Sequence, residues 1–278
     1  MSGVAYRLSE ESCVRRGTNR VKGRSCALAP GNGAVRHLHY GRIILAAGDA
    51  ASEFATGERE TGLICLGGKA EVEVEGQRFA LTPYDAVYAP RDSRVRVTPG
   101  PDGCDLAEIG ARVEGSYPVQ FVSYAAVREN PALHFPTGGP NSRRDLNIVI
   151  GKNVEAGRIL AGVTFSEPGN WTSWPPHEHG ATLEEAYVYI SMPEPAWGVQ
   201  LVYTDPRTPE LAVVVREGDC VVMPAGYHPN VAAPGHSIGF LWIMAAHREK
   251  TDREFGVVNV QPEYAQGGSG LEASRGGK

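Results

Sequence analysis

The stretch PYDAVYAPRDSRVRV, beginning at Pro83, has a counterpart in EGDCVVMPAGYHPNV, beginning at Glu217. Each runs from an acidic turn residue through a short apolar strand to a proline, a small turn and a further strand. A unit that occurs twice in this way restricts the chain to two similar halves in tandem. Both halves are written in strands. In ETGLICLGGKAEVEVEGQRFAL, Ala70, Val72 and Val74 alternate with Glu71, Glu73 and Glu75, the period of two expected of a half-buried strand. Gly67-Gly68 and Glu75-Gly76 supply the turns to its neighbours. The later segments GRILAGVTF, EAYVYI, GVQLVYTD, LAVVVREGDCVVMPAGYHP and SIGFLWIMAA are likewise short, rich in Val, Ile, Tyr and Phe, and separated by Gly, Pro and Asp. The pattern predicts an all-β fold of two tandem antiparallel β-barrels.

A chain of 278 residues is long enough for two such units. The loop-like stretch from Pro131 to Arg144 divides them, giving a first barrel over 28–135 and a second over 136–264. Residues 1–27, with Arg15, Arg16, Arg20, Lys22 and Arg24 among Ser, Gly and Asn, read as a flexible basic arm. Residues 265–278, rich in Gly and Ser, read as a disordered tail. A net charge of -5 argues against a nucleic-acid partner. No run approaches the roughly 18 apolar residues that a membrane span needs, and no apolar segment follows the basic cluster as in a secretory signal. The five cysteines are scattered and never form a C-x-x-C pair, which fits free thiols and a cytoplasmic location.

His177 and His179, in SWPPHEHG, stand two residues apart, the spacing that turns both imidazoles to one face of a strand. Glu184 and Glu185 head the following strand, and His228 arrives about 50 residues later in PAGYHPN. Three imidazoles and one carboxylate suit a divalent ion such as Zn, Mn or Fe, with positions left for water or substrate. Adjacent strand residues face opposite ways, so only one of the two glutamates serves. The pair His37 and His39 has no later histidine in its own half, where PYDAVYAPRDSRV offers Arg91 and Arg94 instead. The first barrel is therefore expected to hold no metal and to serve packing and self-association into a dimer or higher oligomer. His134, His236 and His247 lack companions at ligand spacing, and Cys220 reads as a small buried hydrophobe.

Two longer motifs, GNWTSWPPHEHGATLEE and GDCVVMPAGYHPN, resemble the paired motifs of the cupin superfamily. That resemblance implies a bicupin, two jelly-roll or double-stranded β-helix barrels, and carries the ligand role to His177, His179 and His228. Counting along the motif reaches Glu184, whereas the way related proteins enter this strand implies Glu185 as the fourth ligand. From about Gly57 onward, GERETGLICLGGKAEVEVEG, RRDLNIVI, LEEAYVYI and VVMPAGYHPNVAAPGHSIGFLWIMA are similar to the 5-deoxy-glucuronate isomerases of bacterial inositol catabolism. The sister family, the 4-deoxy-L-threo-5-hexosulose-uronate ketol-isomerases, shares the architecture.

Both families interconvert an aldose-type uronate and its ketose, so the resemblance implies a metal-dependent isomerase turning 5-deoxy-glucuronate into 5-dehydro-2-deoxygluconate. One divalent ion is expected, zinc first, with Mn, Fe or Ni as alternatives. Moving a carbonyl to its neighbour builds negative charge on oxygen, which a cation stabilises. Candidates for the proton-transfer group are Glu184, as the glutamate left over, and the tyrosines Tyr187 and Tyr203. Arg143 or Arg144 supplies the partner for the substrate carboxylate. Trp171 is a candidate stacking surface for the sugar, although aromatic side chains of β-barrels are more often core. Two other classes remain as alternatives, a cupin iron dioxygenase and a non-catalytic sugar-binding cupin.

Overall fold

The protein, described here over residues 7–267 by a computed structural model, is almost entirely strand. Among the described residues the exceptions are two short α-helices, Glu10–Cys13 and Tyr124–Glu129, and the 3-10 turns Thr18–Arg20 and Pro262–Gly267. No helix among them is long and apolar enough to cross a membrane.

The later half rests on a seven-stranded antiparallel sheet in the order Val14–Arg15, Cys220–Met223, Leu183–Ile190, Gly239–Ala246, Ile159–Ser166, Arg144–Ile150, His134–Thr137. A four-stranded sheet, Trp171–Thr172, Asn230–Ala232, Gly198–Val202, Leu211–Val215, shares an apolar cluster with one of its faces. The earlier half repeats the order in a sheet that runs Gly23–Leu28, His39–Leu45, Arg94–Arg112, Arg59–Val74, Ala86–Ala89, Gln120–Val122. The two similar sequence stretches thus supply equivalent strands, Ala86–Ala89 and Cys220–Met223. Closed barrels were expected, whereas the hydrogen-bond ladders leave separate sheets packed through their side chains. In the earlier half the long strands Arg59–Val74 and Arg94–Arg112 bend through register shifts between Cys65 and Gly67 and between Gly68 and Ala70. Gly68 has φ 66°, and a Cβ there would lie 2.2 Å from the Gly103 carbonyl oxygen, so the bend needs glycine.

The sheets of the two halves lie back to back. Ile64, Ala86, Tyr88, Ala107 and Ile109 from one meet Ala161, Ala186, Val188, Leu241 and Ile243 from the other in one buried cluster. Each large aliphatic chain so buried contributes roughly 1.5–3 kcal/mol. Two carboxylates cross this seam. Glu184 accepts the backbone N–H groups of Arg36 and His37 at 2.7 Å, and that of Leu38. Glu60, from the earlier half, accepts those of Gly157, Arg158 and Ile159 at 2.7, 2.6 and 2.8 Å, and the Tyr88 hydroxyl at 2.7 Å. Both carboxylates are buried, and each sits near the start of an equivalent strand.

Three expectations are revised. Over its described residues, 7–27, the basic arm is ordered: Val14–Arg15 adds a strand to Cys220–Met223, and Asp219 accepts Gly17 N–H at 3.0 Å and an Arg16 guanidinium bond at 2.8 Å. Arg15, Arg16 and Arg24 are therefore engaged where a solvated arm was read from composition. The dividing loop contains a hairpin, His134–Thr137 paired with Arg144–Ile150. Of the tail read over 265–278, residues up to Gly267 close a 3-10 turn, and 268–278 lie outside the described residues.

Replacing Glu184 by Gln removes the charge that three peptide N–H groups share. A charge-assisted bond contributes about 1.5–3 kcal/mol, and a domain of this size loses roughly 2–4 °C of Tm per kcal/mol. Calorimetry is expected to show Glu184→Gln melting about 5–10 °C lower. An unchanged Tm would show that the carboxylate does not clamp the seam.

Candidate metal centre and its cavity

Along Leu183–Ile190, Ala186, Val188 and Ile190 face the seam, while Leu183, Tyr187 and Tyr189 join the cluster inside the later half. Glu184 follows the first set and Glu185 the second. Glu185, 1 % exposed, meets His179 and His228 there. His179 arrives in the loop after the two-residue strand His177–Glu178, which pairs with Asn259–Val260. His228 stands between the strands Cys220–Met223 and Asn230–Ala232.

Glu185 Oε2 lies 2.7 Å from His179 Nε2 and 3.0 Å from His228 Nε2. The second approach is not aligned as a hydrogen bond, so His228 Nε2 is a buried polar atom without a hydrogen-bond partner. One ligand-capable atom from each of His179, Glu185 and His228 falls within 4.8 Å of the other two. His177 stands beside this trio, its ring 4.9 Å from that of His228 and 5.7 Å from that of His179. Carbonyl oxygens fix two tautomers. His177 Nδ1 donates to Pro175 O at 2.9 Å and His228 Nδ1 to Gly226 O at 3.0 Å, so each ring is held to the backbone through Nδ1. Burial, then His228 and His179, hold His177 well below its ordinary pKa. Burial works to raise Glu185, but the neighbouring His179 and His228 prevail and hold it at about 2. Three imidazoles beside an ionised carboxylate, with one orphaned Nε2, form a donor set that fits a divalent cation.

His179 and Glu185 of the trio line a cavity of about 40 Å³, with His177 beside them. Arg144, Thr164, Ser173, His177 and Tyr187 give it polar groups, and Leu146, Phe240, Trp242, Met244, Phe255 and Val258 its apolar wall. Burial, then Glu185, raise Tyr187 well above its ordinary pKa, and its hydroxyl is 2.7 Å from that of Ser173. Trp242 Nε1 is a buried donor without an acceptor. Its indole lies across Gly162, where a Cβ would come 2.2 Å from Cζ2 and 2.1 Å from the Asn147 carbonyl oxygen.

Of the residues read from sequence, the structure gathers His177, His179, Glu185, His228, Tyr187 and Arg144 at this cavity. The remainder stand elsewhere. Glu184 faces the seam, held by peptide N–H groups, and does not reach the cavity. Tyr203 bonds Gln261 at 2.8 Å and does not line the cavity, and Arg143 is exposed beside it in sequence only. Trp171 packs on Trp174 at 5.2 Å between centroids, likewise outside the lining. The apolar wall from Phe240 to Val258 was missed, although the alternation in SIGFLWIMAA already sets Phe240, Trp242 and Met244 on one face.

The family model described as KduI/IolB family matches residues 14–259. The 5-deoxy-glucuronate isomerase of Geobacillus thermodenitrificans is 31% identical over 205 residues, covering 68% of this chain and 73% of its own. The crystal structure of an IolB-like protein from Salmonella typhimurium LT2 superposes with a TM-score of 0.80 at 24% identity, covering 91% of this chain and 98% of that one. A cupin 2 conserved barrel domain protein from Leptotrichia buccalis gives a TM-score of 0.50 at 14% identity over 86% of this chain and 91% of its own, a likeness of fold alone. The family model spans most of the chain and the Geobacillus relative is 31% identical, so the chain belongs to the KduI/IolB family.

Proposed function

We propose that this protein is a metal-dependent aldose-ketose isomerase that converts 5-deoxy-glucuronate into 5-dehydro-2-deoxygluconate, and that its two halves are cupin units of which only the later holds metal. The observation that carries the reading is the convergence of His179, Glu185 and His228 on one buried point at the cavity wall, in a family whose curated relatives include 5-deoxy-glucuronate isomerases. His177 is the fourth ligand of the reading.

A divalent ion held by these four residues supplies Lewis-acid stabilisation of the charge that grows on the sugar oxygens. The chain's own groups do the rest. Arg144, 4 % exposed and lining the cavity, holds the substrate carboxylate. Tyr187, kept protonated by burial and by Glu185, donates toward an oxygen of the reacting carbons, with Ser173 orienting its hydroxyl. Trp242 Nε1–H offers a donor that a sugar hydroxyl can satisfy. The apolar wall of Phe240, Met244, Phe255 and Val258 limits water at the site.

Metal analysis and an isomerase assay on 5-deoxy-glucuronate and on 4-deoxy-L-threo-5-hexosulose-uronate test the reading together. His179→Ala is expected to lose bound metal and more than about 100-fold of activity with its strand content intact. Full turnover in a metal-free variant would remove the metal from the reaction, and turnover of the hexosulose-uronate alone would change the substrate. Arg144→Gln is expected to lower kcat/KM roughly 10–100-fold, the equivalent of one charge-assisted bond. An unaltered kcat/KM would move the carboxylate partner elsewhere.

A further inference from the structure

The earlier half has a cavity at the place where the later half has its metal centre. Gly41 pairs with Glu108, and Glu108 with Leu63, as Gly162 pairs with Trp242, and Trp242 with Tyr187. The glycines match closely: a Cβ on Gly41 would lie 2.1 Å from the Ser25 carbonyl oxygen, the separation found between Gly162 and Asn147. Because Glu60 and Glu184 are equivalent clamps, Thr61 stands where Glu185 stands, and Glu108 where Trp242 stands. The inner face that forms the metal centre in one half is thus present in the other without its carboxylate ligand.

This second cavity, about 370 Å³, is lined by Arg24, Cys26, His39, Arg59, Thr61 and Glu108 among others. Arg24 and Glu108 face each other through two bonds of 2.7 Å, so their charges cancel. The Arg24 guanidinium also covers the Phe54 ring at 3.8 Å. Burial, then Arg59, hold His39 down to about 4, so its imidazole is neutral at physiological pH. Arg59 is left as the cation of the cavity, with no carboxylate paired to it among the described residues. A guanidinium beside neutral and paired hydrogen-bonding groups is the environment that a small anion with hydroxyls satisfies.

We propose that the earlier half is a second binding site, for a small hydroxylated carboxylate. Arg59 takes the carboxylate, while Thr61, His39 and the Arg24–Glu108 pair take the hydroxyls. The proposal stands on this cavity alone and does not depend on the isomerase reading.

Cys26 makes the test local. It lines this cavity and is exposed, whereas Cys13, Cys65, Cys104 and Cys220 are buried, so N-ethylmaleimide should label the native, metal-loaded protein once. With D-glucuronate at ten times a Kd on the order of 1 mM, labelling of Cys26 is expected to slow about tenfold, while D-glucose at the same concentration leaves it unchanged. Arg59→Gln is expected to abolish the protection while still taking a single label, which reports that it is folded. Equal labelling rates with and without glucuronate, equal protection by glucose, or protection that survives Arg59→Gln would each overturn the proposal. Should Arg59→Gln label at the buried cysteines, the wild-type comparison of glucuronate with glucose decides by itself.

Discussion

Two buried carboxylates, each gripping three consecutive peptide N–H groups of the opposite half, set how the sheets of this protein lie against one another. An ionised carboxylate without partners is too costly to bury. Glu60 and Glu184 escape that cost only while the loops at 157–159 and 36–38 are in place. The apolar seam supplies most of the energy of contact, yet apolar packing has no direction. The six N–H bonds give it one.

The same geometry determines where the buried group of His179, Glu185 and His228 can form. With Glu184 committed to the seam, strand alternation sends Glu185 to the inside of the later half, into reach of His179 and His228. Peptide carbonyls then hold the rings of His177 and His228 through Nδ1. Two neighbouring glutamates of like chemistry therefore have separate duties, one architectural and one at the cavity. The division arises from the period of the strand.

Much of this was legible in the chain itself. Strand periodicity gave the all-β fold, and the H-x-H spacing with His228 gave residues that the fold brings together. The duty of Glu184 was not legible, because its partners lie 146 to 148 residues away and are backbone groups that carry no side-chain signature. Tyr203 and Trp171 were drawn toward the cavity by their type, but tyrosine and tryptophan serve equally well to pack against neighbours, as they do here. Composition misled most at the N-terminus. Arginine, serine and glycine suggest a solvated segment, whereas Val14 and Arg15 find a sheet edge whose sequence position nothing local reveals.

That edge has a bearing on how the protein comes into being. Gly17 and its acceptor Asp219 are 202 residues apart, so on a ribosome the strand Val14–Arg15 emerges long before the edge it completes has been made. During that interval Val14 and its neighbours have no native partner, and the later half cannot finish its own outermost ladder without them. The two halves are alike in strand order, but they are not separable products: excising the earlier one also takes away a strand of the later.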